Sequence, residues 1–260
     1  MSIVDIDKSD HISTITLNRP EAMNSMGGGL PEALWEALLD FRNDPDQWCA
    51  IVTGAGDRAF SAGADLKAFA GRDPDWYKQA FWDQGPTWAY RQLQIWKPMI
   101  AAVNGYALGG GCQLALSCDV IVAADTATFG MTEGRWGLVA AGSGGTQLLA
   151  RRFPLSWALQ MLFTGERMSA QEAYRLGVVN QVVPLGELMG AARALAEKIT
   201  ANPPLAARGN KEAVYRGIEM TFEQGLRFEA ALSRITRDTE DAKEGPKAFA
   251  EKRKPDYHGR

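Results

Sequence analysis

Three consecutive glycines, Gly109-Gly110-Gly111, interrupt an apolar run that starts at Met99 and resumes through Cys112–Cys118. The residues before them read as a strand and those after as a buried helix. Glycine lets the backbone approach a ligand closely, and a helix start leaves N–H groups without intrahelical acceptors. The helix dipole adds partial positive charge at that spot, so the turn suits an oxyanion. The first helical turn then presents Gln113, a polar side chain inside an apolar helix.

The pattern around this turn predicts an α/β fold with internal parallel pairings. Ile12–Asn18 alternates apolar and polar residues and reads as a strand ending at Arg19-Pro20. Leu30–Phe41 has helical spacing opened by Pro31, and Cys49–Thr53 is a short apolar strand stopping at Gly54-Ala55-Gly56. Met99–Val103 and Val120–Ala123 read as two further buried strands. Leu155–Phe163, Ala170–Leu176 and Leu188–Ile199 read as helices, and amphipathic helical patterns continue past Asn202-Pro203-Pro204 to about Glu244. The expected division is a core over 1–200 and a helical region over 201–260.

With 260 residues, 46% of them hydrophobic, the chain can bury a substantial core. A net charge of −3 argues against nucleic-acid binding by electrostatics. Lys252-Arg253-Lys254 is a local basic cluster better matched to phosphates on a small ligand. No apolar stretch is long enough to span a bilayer, and Asp5, Asp7 and Asp10 give the N-terminus no targeting pattern. Three cysteines in apolar surroundings suit reduced thiols, so the expected location is the cytoplasm.

Several chemistries are disfavoured by what is missing. His11 and His258 are the only histidines, and both lie near the ends, leaving no imidazole for Ser-His-Asp or Cys-His catalysis. Ala141-Gly142-Ser143-Gly144-Gly145 misses the nucleophile elbow, and Cys112 and Cys118 have the wrong spacing for zinc. Gly54-Ala55-Gly56-Asp57-Arg58-Ala59 nearly matches a dinucleotide fingerprint, but Phe60-Ser61-Ala62-Gly63 is a poor helix opening, so it reads as a turn. Ser61-Ala62-Gly63-Ala64-Asp65-Leu66-Lys67 is a second small-residue loop. Together with the three glycines it offers two backbone N–H groups that can converge on one carbonyl oxygen.

These segments resemble the crotonase (enoyl-CoA hydratase/isomerase) superfamily. The resemblance rests on Arg19–Asn24, Phe60–Leu66, Val103-Asn104-Gly105 with the glycines, and Cys118-Asp119. Gly144–Gln147, Leu162–Gly165 and Glu244–Phe249 extend it, so that it runs from about residue 3 to 255. It implies a crotonase-like spiral of ββα units with a helical C-terminal trimerisation region, and a homotrimer or a hexamer built of two trimers. It also implies acyl-CoA substrates handled without a metal or redox cofactor, with coenzyme A entering as part of the substrate. By position, Ala64 and Gly110 would be the oxyanion-hole donors and Glu133 the catalytic acid/base. Ala62, Asp65 and Leu66 would line the CoA path with Lys67 beside it, and Phe249 and Lys252 would reach CoA from the C-terminal region, often that of a neighbouring subunit.

The chain departs from the hydratase pattern at Gln113, where typical hydratases keep a second glutamate. An amide can orient a water but cannot accept its proton. One glutamate suits 1,3-proton transfer, or hydration and dehydration of an activated enoyl-CoA. The alternatives are a lyase or carbon–carbon bond-cleaving enzyme on a bulky or aromatic acyl-CoA, and a non-catalytic CoA- or RNA-binding homologue. The rings between Trp76 and Trp96, with Trp136 near Glu133, are expected to be core or subunit contacts or to line an aromatic acyl pocket.

Overall fold

A computed structural model describes residues 2–65 and 93–260. Two sheets share successive turns of the chain. The larger has the order β1 (Val4–Ser9), β2 (Ile12–Leu17), β3 (Cys49–Gly54), β5 (Met99–Val103), β7 (Val120–Ala124) and β10 (Gln181–Val183). The smaller runs β4 (Ala59–Ser61), β6 (Tyr106–Leu108), β8 (Thr128–Gly130) and β9 (Met168–Ser169). Thus β3/β4, β5/β6 and β7/β8 each send one strand into each sheet, and within each sheet these strands pair in parallel. That repeat is the expected spiral.

The hairpin β1–β2 turns on Asp10 and His11, both at positive φ, as a two-residue turn between Ser9 and Ile12 requires. Every residue of β3 and β5 is buried, as expected of parallel strands covered on both faces. One face carries Ile15, Val52, Ala101, Val103 and Ile121 into the main core. The other packs Ile12, Ile51, Ile100 and Val122 against Leu188, Ala192 and Ala196 of the helix Leu188–Thr200.

The remaining helices among the described residues are α1 (Leu30–Asn43), α2 (Gly110–Ser117), α3 (Gly145–Arg152), α4 (Leu155–Thr164) and α5 (Ala170–Arg175). After them come α6 (the helix Leu188–Thr200), α7 (Pro204–Gly217), α8 (Phe222–Arg237) and α9 (Glu240–Ala250). None is long and apolar enough to cross a membrane. Asp119 ties α7 to the sheet. It accepts the Met99 N–H at 2.7 Å and the Tyr215 hydroxyl at 3.0 Å, and pairs with the half-buried Lys211 ammonium at 2.7 Å.

Three local expectations are revised by tertiary pairing. The apolar run before the glycines is two strands, because Asn104-Gly105 carries the chain from β5 in one sheet to β6 in the other. Gly110 and Gly111 already lie inside α2, with Gly109 as its N-cap. The helical patterns beyond Pro204 run on to Ala250, through Pro246 within α9. The near-fingerprint at Gly54 leads into strand β4 and not a helix, so the turn reading holds. Asn24 and Asn104 staple that turn: Asn24 Nδ2 donates to Ala55 and Ala59 carbonyls, and Asn104 Nδ2 donates to Gly56 O at 2.8 Å.

Candidate active site

The site is assembled where α2 begins, between the loop after β4 and the turn after β8. Gly109 has φ 50° and ψ −120°, a conformation that side chains disfavour, and this redirects the chain from β6 into α2. Gly63 (φ +83°) lies against the same turn, since a Cβ there would stand 2.5 Å from Leu108 O and 3.0 Å from Gly110 N. Met26 joins the two loops: its N–H donates to Gly63 O at 2.7 Å, it bridges Ala64, and its side chain reaches Gly110. Gly110 is the first residue of α2, so its N–H has no intrahelical acceptor. The Ala64 N–H has no backbone acceptor among the described residues.

Glu133 opens a 3-10 turn, Glu133–Trp136, just beyond β8. Parallel pairing of β6 with β8 puts this turn beside Gly109, where a Cβ would lie 3.3 Å from Glu133 Oε1. Burial pushes the Glu133 carboxyl up from the usual carboxylate range, and its own backbone N–H and a hydrogen bond from Gln113 oppose that rise. Gln113 is almost wholly buried on α2. Its Nε2 donates to Glu133 Oε1 at 2.8 Å, and its Oε1 accepts the Ser143 N–H at 3.0 Å. Glu133 Oε2 is buried and has no hydrogen-bond partner among the described residues.

The structure therefore brings together Gln113, Glu133, Gly110 and the loop that carries Ala62 and Ala64. Ala62 is held by its N–H bond to Met23 O at 2.9 Å. Asp65 lies 4.0 Å from Arg19 and packs on Gly27. Leu66, Lys67 and the rings from Trp76 to Tyr90 fall outside the described residues. Trp96 lies under Arg216, 5.0 Å from the guanidinium, so this ring is an inter-element contact. Phe249 lies in the last turn of α9, 87% exposed, and Lys252 follows the end of that helix. Trp136, three residues after Glu133, is 62% exposed.

Ser143 is the participant that sequence reasoning missed. Its contribution is a backbone N–H, which no side-chain motif announces. The available signal was the pair of flanking glycines, Gly142 and Gly144, which adopt φ +83° and +86°.

Comparison with known proteins places this arrangement. The family model for enoyl-CoA hydratase/isomerase matches residues 7–260. The chain is 42% identical over 256 residues to (E)-benzylidenesuccinyl-CoA hydratase of Thauera aromatica, covering 98% of this chain and 99% of the relative. It is 44% identical over 260 residues to carnitinyl-CoA dehydratase of Salmonella enteritidis, covering 98% of each. The crystal structure of an enoyl-CoA hydratase from Bacillus anthracis superposes with a TM-score of 0.92 at 38% identity, covering both chains fully. The match of the enoyl-CoA hydratase/isomerase model and of these relatives across nearly the whole chain, in a spiral that sets a half-buried glutamate beside a glycine-started helix, shows that the protein belongs to the enoyl-CoA hydratase/isomerase family.

Proposed function

We propose that the protein acts on an enoyl-CoA thioester through an enolate, with Glu133 as its one catalytic carboxylate. The observation that carries this reading is the half-buried Glu133 carboxyl, bonded through one oxygen to an amide where a second carboxylate would otherwise stand. The Ala64 and Gly110 N–H groups would bind the thioester oxygen as negative charge develops on it. In double-bond isomerisation, Glu133 removes a proton from the α-carbon and the electrons pass to the thioester oxygen as a dienolate. Glu133 then returns the proton to the γ-carbon. In dehydration, the α-proton taken by Glu133 departs with the β-hydroxyl as water, and hydration is the reverse. Neither course requires a metal or redox group. Coenzyme A would be held by Ala62, Asp65, Leu66 and Lys67, with Phe249 and Lys252 contributing from the C-terminal region of a neighbouring copy.

The test is incubation with crotonyl-CoA and a 3-enoyl-CoA in deuterated water. Deuterium should enter the α-carbon, and Gln113→Glu should raise simple hydration of crotonyl-CoA by restoring a carboxylate pair. Tight CoA binding with no exchange on any thioester would instead support a non-catalytic homologue. Trp136, exposed three residues beyond Glu133, supports a bulky or aromatic acyl group. A cinnamoyl thioester should therefore be turned over better than straight medium-chain ones, and the reverse order removes that part of the reading.

The active form is proposed to be a trimer or a pair of trimers. Helix α8 buries no residue in the single chain yet carries Phe222, Leu226 and Ile235 on its surface, and Val214 of α7 and Ile218 at its C-cap are exposed. Sedimentation of the intact protein should give three or six chains. A stable monomer at micromolar concentration contradicts this.

A further inference from the structure

We propose that Gln113 is a positioning residue that decides which oxygen of Glu133 exchanges the proton. It holds Oε1 and leaves Oε2 to the substrate. This rests on the reading of Glu133 as acid/base and sharpens it to one atom.

The orientation of the Gln113 amide follows from its neighbours. The Ser143 backbone N–H can only donate, so the group facing it at 3.0 Å must be the amide oxygen. The NH2 is then turned to Glu133 Oε1 at 2.8 Å. The amide has little room to shift, because a Cβ on Gly145 would stand 2.8 Å from Gln113 Nε2. The Ser143 loop is itself pinned: Ala141 N–H donates to Val139 O at 2.7 Å, and Thr146 N–H donates to Ala140 O at 3.0 Å. Ser143 N–H is shared with Ala141 O at 3.1 Å.

The two oxygens of Glu133 are thereby made unequal. Oε1 carries a donor, which favours negative charge on it. Oε2 is buried with no donor among the described residues, and an anionic acceptor left so is costly. Oε2 is therefore the atom that binds a proton in the free protein and takes one from a reacting carbon. Because the Gln113 carbonyl faces Ser143, the side chain presents N–H and no acceptor to Glu133. Its role is thus to orient the glutamate, where the sequence suggested that it orients a water.

The variant that tests this is Gln113→Met, which keeps volume and removes both hydrogen bonds. It is assayed by α-carbon deuterium exchange of a 3-enoyl-CoA, following kcat and KM across pH beside wild type and Glu133→Gln. KM should hold within about threefold while kcat falls, since the lost bond acts through Glu133. The acidic limb should move up by about one to two pH units, because a donor to a carboxylate is lost. A kcat that falls with the limb unmoved marks a purely structural role and overturns the proposal. Exchange retained in Glu133→Gln overturns the underlying reading instead, so the two failures are distinguishable. Should the Met variant fail to fold, Gln113→Asn keeps an amide but falls short of both partners. It must show the same upward move, and an unmoved limb there also overturns the proposal.

Discussion

Replacing Glu133 with glutamine is expected to lower turnover of any enoyl-CoA substrate by about 10²–10⁴-fold, the usual contribution of a positioned acid/base. The amide keeps the shape of the side chain and can still accept the Gln113 N–H, so thioester binding should stay close to wild type. Residual turnover above a tenth of wild type would remove Glu133 from the proton-transfer step.

The same variant should carry a stability signature with a definite sign. Burial raises the folded-state pKa of Glu133 above its ordinary value. Such a group contributes stability that is fully present below the unfolded pKa and is lost as pH rises through the folded one. Wild type should therefore lose stability relative to Glu133→Gln across that window. Melting temperatures measured from acid to neutral pH should show the difference moving in favour of the variant as pH rises. A constant difference would mean that the carboxyl ionises in the folded protein as freely as in the unfolded chain.

Gly63→Ala is the second large effect. The residue has φ +83°, and the added Cβ would meet Leu108 O at 2.5 Å and Gly110 N at 3.0 Å. Both obstacles are backbone, so the loop carrying Ala64 must move away from the start of α2. Misplacing one oxyanion donor typically costs about 10²–10³-fold in kcat. The positive-φ strain adds about 1–3 kcal/mol of destabilisation. Gly177→Ala separates the two contributions. Gly177 has φ +76° but open space around it, at the end of α5. That variant should lose melting temperature and keep turnover. If Gly63→Ala does no more than Gly177→Ala, the two loops do not cooperate in catalysis.

The parts of the fold legible in the sequence are those with strong local signals. Cys49–Gly54 and Met99–Val103 are apolar along their length because both faces are covered, and their limits agree with expectation to within a residue. Helix α6 announces itself by its apolar spacing and starts at Leu188 as expected. Strand β1 was not legible, since five of its six residues are not buried and its sequence is mostly polar. The smaller sheet was not legible either. Its strands are two or three residues long, too short for a period to register. They exist because each sits where one turn of the spiral passes the next.

The candidate site divides along the same line. Glycine at 63, 109 and 110, glutamate at 133 and glutamine at 113 are visible in the chain and point to acyl-thioester chemistry by their resemblance to one family. Which of these groups touch is a matter of long-range pairing: β6 beside β8 carries Glu133 to Gly109, and Met26 joins Ala64 to Gly110. The amide that meets the Glu133 carboxyl is turned by a backbone N–H at Ser143, thirty residues beyond Gln113. The sequence alone determined the residue types, the buried strands and the family. Tertiary structure decided the geometry of the Glu133 carboxyl, because a backbone donor carries no side-chain identity and acts only where the fold delivers it.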